Sequence, residues 1–304
     1  MTLYHGDVLN VLPALPDASV DAIISDPPYP MIARDYGTLT EFEWSVMMVE
    51  VCKQAQRILK PTGSAVFILQ PNSKKVGSMR GWLWEFMAWV CREWNMVQDV
   101  WWWNIAAMPT VHCNRDRGLT RPSVKACVWC GPSNCYRDQN AVLWQESDAS
   151  KATDISKRIL KYHPSGAHVN KGRMVATARK RGGATPYNLI PLANTDSVSS
   201  AGAYGHGAGT PLHLADWWTR YIVPPKSTVL DCFCGAGTMG IAALLHGHKF
   251  IGIDKEAEYL DITIERCTDI ERQRRGEWAI APRRTKRKKV KDGQTSLFDT
   301  WNLE

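Results

Sequence analysis

Apolar positions along this chain follow two rhythms: short continuous runs of strand length, and longer stretches with helical spacing. Val20-Asp21-Ala22-Ile23-Ile24-Ser25 is a strand-length run that ends in a proline-rich turn. Residues 41–59 put Trp44, Met47, Met48, Val51, Ala55 and Ile58 on one stripe, which predicts an amphipathic helix. Lys60-Pro61-Thr62-Gly63 stops that helix, and residues 64–69 follow as a buried strand. Residues 82–94 read as helix, 97–103 as extended chain and 124–130 as strand, with Trp101, Trp102 and Trp103 clustered in the core. Further on, a helix at 211–223 leads to a strand at 227–232 and a helix at 238–246. A strand at 250–254 and a helix at 255–270 complete the pattern. This alternation predicts an α/β fold with a largely parallel sheet. Two stretches break it. Residues 145–208 carry two Gly-rich segments and little periodicity, as a functional insertion would. After Arg275 the chain reads as a tail.

Composition adds limits. The 304 residues, 44% of them hydrophobic, suffice for one large core domain plus an insertion. No segment approaches the roughly 20 apolar residues of a membrane helix, and the N-terminus has no signal-like pattern. A cytoplasmic, nucleoid-associated protein is expected. Nine cysteines, an odd number without a regular framework, fit reduced thiols. His112, Cys113, Cys127, Cys130 and Cys135 raise the question of zinc, since Cys127 and Cys130 have ligand spacing. Residues three apart on a strand face opposite ways, however, so buried thiols and no metal are expected.

The formal charge of +7 is unevenly spread. Residues 151–181 hold nine Lys/Arg against one acid, and residues 271–292 hold ten against three, so the rest of the chain is at −8. Two basic islands on an acidic body point to a polyanionic partner met at defined places.

Two motifs carry chemistry. In the first, Asp231 closes a strand and is followed by a turn containing Gly235, Gly237 and Gly240 that opens a helix. The glycines match the dinucleotide fingerprint, which keeps a redox enzyme in view. In that fingerprint the first Gly sits at the strand end, whereas here Asp231 stands there, four positions earlier. A carboxylate at that point suits a ligand bearing positive charge and repels a pyrophosphate. Asp254, ending the next strand, is placed to hold ribose hydroxyls of either cofactor.

The second motif, Asp26-Pro27-Pro28-Tyr29, directly follows the first apolar strand. An exocyclic amino group of a base is a poor nucleophile because its lone pair is delocalised into the ring. The Asp26 carboxylate and the Pro27 carbonyl can accept its two N–H bonds and turn the lone pair toward a methyl donor. Pro27 and Pro28 stiffen the turn, and Tyr29 offers an aromatic face for an extruded base. C5-cytosine methylation conventionally uses a thiol in a Pro-Cys pair, which this chain lacks.

With both motifs in place, the chain resembles the amino-group DNA methyltransferases of the permuted β-type, which carry the catalytic motif upstream of the cofactor loop. The resemblance covers roughly 1–144 and 205–270. It rests on His5-Gly6-Asp7, Ser25 to Tyr29, residues 57–64, Gly209-Thr210-Pro211 and Leu230 to Thr238. It implies a Rossmann-like, seven-stranded S-adenosylmethionine-dependent methyltransferase sheet with an inserted target-recognition region. The implied layout is a catalytic half at 1–144, the recognition insertion at 145–208, a cofactor half at 209–270 and a basic tail at 271–304. The cofactor is S-adenosylmethionine: Asp7 would meet its adenine and Asp254 its ribose. Asp231, Phe233, Gly235 and Gly237 would line the methionine end, with Thr210 and Leu212 nearby. Family members often have Lys where Thr210 stands and Pro where Cys232 stands. Asp before Pro-Pro favours adenine N6, with cytosine N4 as the alternative. Double-stranded DNA is the implied partner, and a homodimer fits the resemblance.

In the tail, Gln294-Thr295-Ser296-Leu297-Phe298 resembles the peptide by which bacterial proteins dock on the sliding clamp. A DNA methyltransferase explains both motifs. A dinucleotide oxidoreductase explains one of them, and a non-catalytic DNA- or clamp-binding protein explains only the basic segments.

Overall fold

The computed structural model describes residues 1–33, 37–108, 118–145, 147–156, 160–162, 168–194 and 209–274. In chain order the elements are β1 (Thr2–His5), α1 (Val8–Val11), β2 (Val20–Ser25), α2 (Glu41–Ile58), β3 (Leu59–Leu69), β4 (Ser73–Lys75), β5 (Ser78–Met79), α3 (Trp82–Glu93), β6 (Met96–Trp103) and β7 (Val124–Cys130). They continue with α4 (Asp148–Lys151), β8 (Leu160–Tyr162), β9 (His168–Asn170), α5 (Lys171–Arg181), β10 (Leu189–Pro191), α6 (Leu212–Ile222), β11 (Thr228–Asp231), α7 (Thr238–Leu245), β12 (Lys249–Asp254) and α8 (Ala257–Arg274).

The main sheet runs β1-β12-β11-β2-β3-β7-β6-β10. Only the pairings made by β7, with β3 and with β6, are antiparallel. β7 is therefore the one reversed strand of an otherwise parallel sheet, as the alternating pattern predicts. The described sheet has eight strands where the resemblance implies seven. The additional strand is β10, parallel to β6 at one edge. Part of the segment assigned to the insertion thus completes the main sheet. That segment also contains α5, whose sequence Lys-Gly-Arg-Met-Val-Ala-Thr-Ala-Arg-Lys-Arg buries only Gly172 and Val175. A helix with so narrow an apolar contact leaves no stripe for periodicity to detect.

Strand alternation divides the core into two layers. Ile23, Ala65, Phe67 and Val128 face α2 and α3, where Trp44, Met48, Val51 and Phe86 are buried. Ala22, Ile24, Val66 and Trp129 face α6 and α7, with Leu214, Trp218 and Met239. Cys130 falls in the first layer and Cys127 in the second, so the pair straddles the sheet. Burial pushes the Cys127 thiol up to about 12. Among the described residues no group of His, Cys, Asp or Glu is arranged to hold a metal ion; His112 and Cys113 lie outside them. No described helix is long and apolar enough to cross a membrane.

α2 starts at a capping box in which Thr40 and Glu43 exchange hydrogen bonds. β3 begins at Leu59, and residues 60–63, predicted as a stop, are absorbed as an irregularity in its pairing with β2. β2 and β11 lie side by side, and the chain leaves them in opposite directions, β2 toward β3 and β11 toward β12. That is a topological switch point, where open α/β sheets bind ligands beyond the carboxyl ends of their strands.

Candidate active site

A cavity of about 600 Å³ opens at this switch point, within the range for small-molecule sites. Its walls come from the carboxyl ends of β1 (Gly6, Asp7), β2 (Asp26, Tyr29), β11 (Asp231, Phe233) and β12 (Asp254, Glu256). The residues after β6 and β10, Asn104 and Asn194, line its far end. β7 runs the other way and contributes its beginning, Lys125. Both sequence motifs thus open onto one space.

At the Gly-rich loop, Asp231 is buried and accepts hydrogen bonds from the Ser25 hydroxyl (2.7 Å) and the Phe233 N–H (3.1 Å). Desolvation pushes its carboxyl up to about 7. The two hydrogen bonds oppose that shift, and Asp254 and Asp26 add to it. A buried acid beside two others is a site that a cationic ligand relieves. Ser25 also accepts the Cys232 N–H at 2.8 Å. Proline at position 232 would delete that donor. Asp254 accepts the Gly235 N–H (2.7 Å) and the Glu256 N–H (2.9 Å), so it braces the loop as well as facing the cavity. Asp7 caps α1 through the Leu9 N–H at 2.8 Å while lining the cavity beside the end of β12.

Gly237 is not in the cavity wall. It takes φ +75°, and a Cβ there would sit 2.6 Å from Thr263 Cγ2. Its role is to let α8 press against the loop from behind: Thr263 donates to the Gly235 carbonyl at 2.9 Å, and buried Arg266 donates to the Ala236 carbonyl. Leu212 likewise lies outside the wall and packs between apolar clusters under α6 and α7.

At the tetrapeptide, the Tyr29 hydroxyl donates to Asp26 Oδ1 at 2.5 Å and the Thr210 hydroxyl to Asp26 Oδ2 at 2.6 Å. Thr210, expected beside the cofactor, therefore bonds to the tetrapeptide's acid. The turn is held by Trp44, whose indole N–H donates to the Pro28 carbonyl at 2.7 Å, and by Asn72, whose amide donates to Pro30 at 2.7 Å. Trp82 stacks near Tyr29, with centroids 6.5 Å apart and an interplanar angle of 24°. Of the three tryptophans expected in the core, Trp102 is buried and also borders the cavity, Trp101 is half-buried and Trp103 is exposed.

Four site residues, Lys125, Glu256, Thr263 and Arg266, carried no sequence signal of their role, and Ser25 was part of the motif without a role assigned to it. Ser25 adjoins the tetrapeptide, so its position was a usable signal. Lys125 sits in an apolar strand, where its single charge was the only clue.

A family model described as DNA methylase, covering the N6 and N4 amino-methyltransferases, matches residues 20–265. The chain belongs to this DNA methylase family. As a DNA methylase it is 24% identical to the Type II methyltransferase M.PvuII of Proteus hauseri, over 88% of this chain and 87% of that protein. It is also 24% identical to the DNA adenine methyltransferase YhdJ of Escherichia coli K12, over 87% of this chain and 82% of that one. The solved PvuII DNA methyltransferase, described as cytosine-N4-specific, superposes with a TM-score of 0.66 at 21% identity, covering 89% and 91% of the two chains. A complex of M1.HpyAVI with SAM superposes at 0.53 and 18% identity, covering 87% and 98%. The sheet and its flanking helices form the methyltransferase fold.

Proposed function

We propose that this DNA amino-methyltransferase transfers the methyl group of S-adenosylmethionine to N6 of adenine within a specific DNA sequence. One observation carries the reading: the Asp26 carboxylate and the buried Asp231 carboxylate face the same cavity, so an acceptor for an amine stands next to a pocket for a cation.

The residues present fit the cofactor. Asp231 offers its carboxylate to the positively charged methionine end, the backbone around Gly235 allows close approach, and Asp7, Asp254 and Glu256 face the nucleoside end. When bound, S-adenosylmethionine supplies an electrophilic methyl on a sulfonium. Asp26 and the Pro27 carbonyl accept the two N–H bonds of the target amine and aim its lone pair into the cavity. Tyr29, backed by Trp82, presents its ring to the extruded base. Positive residues of 145–208, α5 among them, are proposed to contact phosphates. The basic tail and Gln294-Thr295-Ser296-Leu297-Phe298, outside the described residues, are proposed to dock on the sliding clamp. Wild-type protein should be retained by immobilised clamp, and a Leu297→Ala/Phe298→Ala double variant should not.

Asp at the first tetrapeptide position supports adenine, as does the likeness to YhdJ. The likeness to M.PvuII supports cytosine N4 as the second reading. Mass spectrometry of nucleosides from DNA methylated by the purified protein separates them. N6-methyldeoxyadenosine is expected, and N4-methyldeoxycytidine as the sole product would overturn the adenine assignment.

A further inference from the structure

We propose that Lys125 is a positioning residue for methyl transfer, its ammonium holding the Asp26–Tyr29 pair in the geometry that receives the target amine. The proposal rests on the reading of Asp26 as the amine acceptor.

Lys125 is the only charged residue of β7, a strand whose last five residues are buried. Its side chain is itself only 19% exposed. A long cation drawn into such surroundings is costly unless it is partnered. The partners here all belong to the proposed active site. Nζ donates to the Tyr29 hydroxyl oxygen at 3.1 Å and lies 4.0 Å from Asp26 Oδ2. It also lies 5.4 Å from the centroid of the Tyr29 ring and 5.0 Å from that of Trp102, within cation–π range of both.

The chemistry of these groups gives the chain of bonds a direction. An ammonium has donors and no acceptor, so the Tyr29 oxygen must accept from Lys125 and its own hydrogen is available to Asp26 Oδ1. A rival acceptor, the Ile68 carbonyl, is 3.3 Å from the same hydroxyl. The ammonium's attraction for Asp26 keeps the carboxylate turned toward Tyr29 and so favours the Asp26 bond over the Ile68 one. With Tyr29 on Oδ1 and Thr210 on Oδ2, the plane of the carboxylate is fixed, and each oxygen retains acceptor capacity for a substrate N–H. The same three-way contact holds the Tyr29 ring, the proposed stacking face for the base. Lys125 thus orients both the acceptor and the platform without touching the reacting atoms.

The test uses the full-length protein, radiolabelled S-adenosylmethionine and genomic DNA from a methylase-free host. Lys125→Met, which keeps the stem and removes the charge, should lower kcat by roughly a hundredfold, the scale of a misplaced catalytic group. KM for S-adenosylmethionine should stay within about twofold, because the cation lies away from the residues proposed to hold the cofactor. In Lys125→Ala, which empties the space of the side chain, added ethylammonium should restore at least about tenfold of the lost rate by refilling the ammonium position. Lys125→Arg should fall between wild type and Lys125→Met. Melting temperatures are recorded throughout, and Lys125→Gln replaces the Met variant if that one unfolds early. Three outcomes would overturn the proposal: a kcat of Lys125→Met within about threefold of wild type, a defect confined to KM for DNA, as for a simple phosphate contact, or a folded Lys125→Ala that ethylammonium leaves unchanged. Asp26→Ala, run beside these, should stay inactive with or without the amine. Lack of methylation by the wild type would sink the methyl-transfer reading itself, apart from the role of Lys125.

Discussion

The cofactor-side wall of the cavity, residues 231–238, is held largely through backbone: Gly235 and Gly237 at positive φ, N–H groups bound to Asp231 and Asp254, and carbonyls bound by α8. The wall formed by Asp26 and Tyr29 is held by side chains that arrive from far along the chain. Thr210 is 184 positions from Asp26, and Lys125 is 96 positions from Tyr29. The first wall is a shape set by the closing of the turn, with one carboxylate, Asp231, at its head. The second is a set of hydrogen bonds whose loss leaves the backbone in place but its acceptor misdirected. Damage to the first should therefore appear as lost folding or cofactor affinity, and damage to the second as lost turnover.

The largest effect expected from breaking this contrast is at Asp26. Asp26→Ala should cut kcat by about a thousandfold, the upper scale for loss of one preorganised electrostatic partner, with melting temperature nearly unchanged. Substantial turnover in that variant would mean that another group accepts the amine. Gly237→Ala acts on the other wall. Left-handed strain and the overlap with Thr263 should together cost about 2–4 kcal/mol of stability. Thermal unfolding measures it, and adding Thr263→Ala should recover only the steric part, since the φ of +75° remains.

Asp231 gives a pH signature. Its folded pKa of about 7 lies above the ordinary 3.8, so the folded protein holds this proton where the unfolded chain has released it. The group's contribution to stability is accordingly greatest below about 4 and declines as pH rises to about 7. A cationic ligand prefers the ionised form, so cofactor affinity should weaken by up to about tenfold per pH unit below 7, with proton release on binding. Calorimetry in buffers of differing ionisation enthalpy reads that release. A proton count of zero at pH 6 would mean that Asp231 is already ionised without ligand. A smaller effect is expected at Thr210. Thr210→Val removes one hydrogen bond to a charged oxygen and should lower kcat by roughly tenfold while leaving cofactor affinity intact. A loss of affinity in its place would return Thr210 to the cofactor side.

Most of the fold was legible in the residues. β2, β7 and β11 emerged as apolar runs, and the stripe from Trp44 to Ile58 became α2, because strand and helix periodicities are local properties of side-chain facing. The exceptions have local causes too. α5 buries only Gly172 and Val175, and β10 is only three residues long, so neither leaves a periodic trace.

What the sequence determined by itself was the chemistry of each motif: a rigid acid–proline turn, a glycine loop with a carboxylate at its head, and their order along the chain. Backbone demands such as positive φ and fixed proline φ are written in single residues, so they survive without knowledge of the fold. Tertiary structure alone decided which side chains meet at those motifs. Strand order brings β2 beside β11 and the reversed β7 up to the same edge, so Ser25 bridges the two motifs and Thr210 turns to Asp26. Lys125, an unremarkable charge in an apolar strand, ends against Tyr29. Those contacts join positions about a hundred residues or more apart, and no spacing within a motif encodes them.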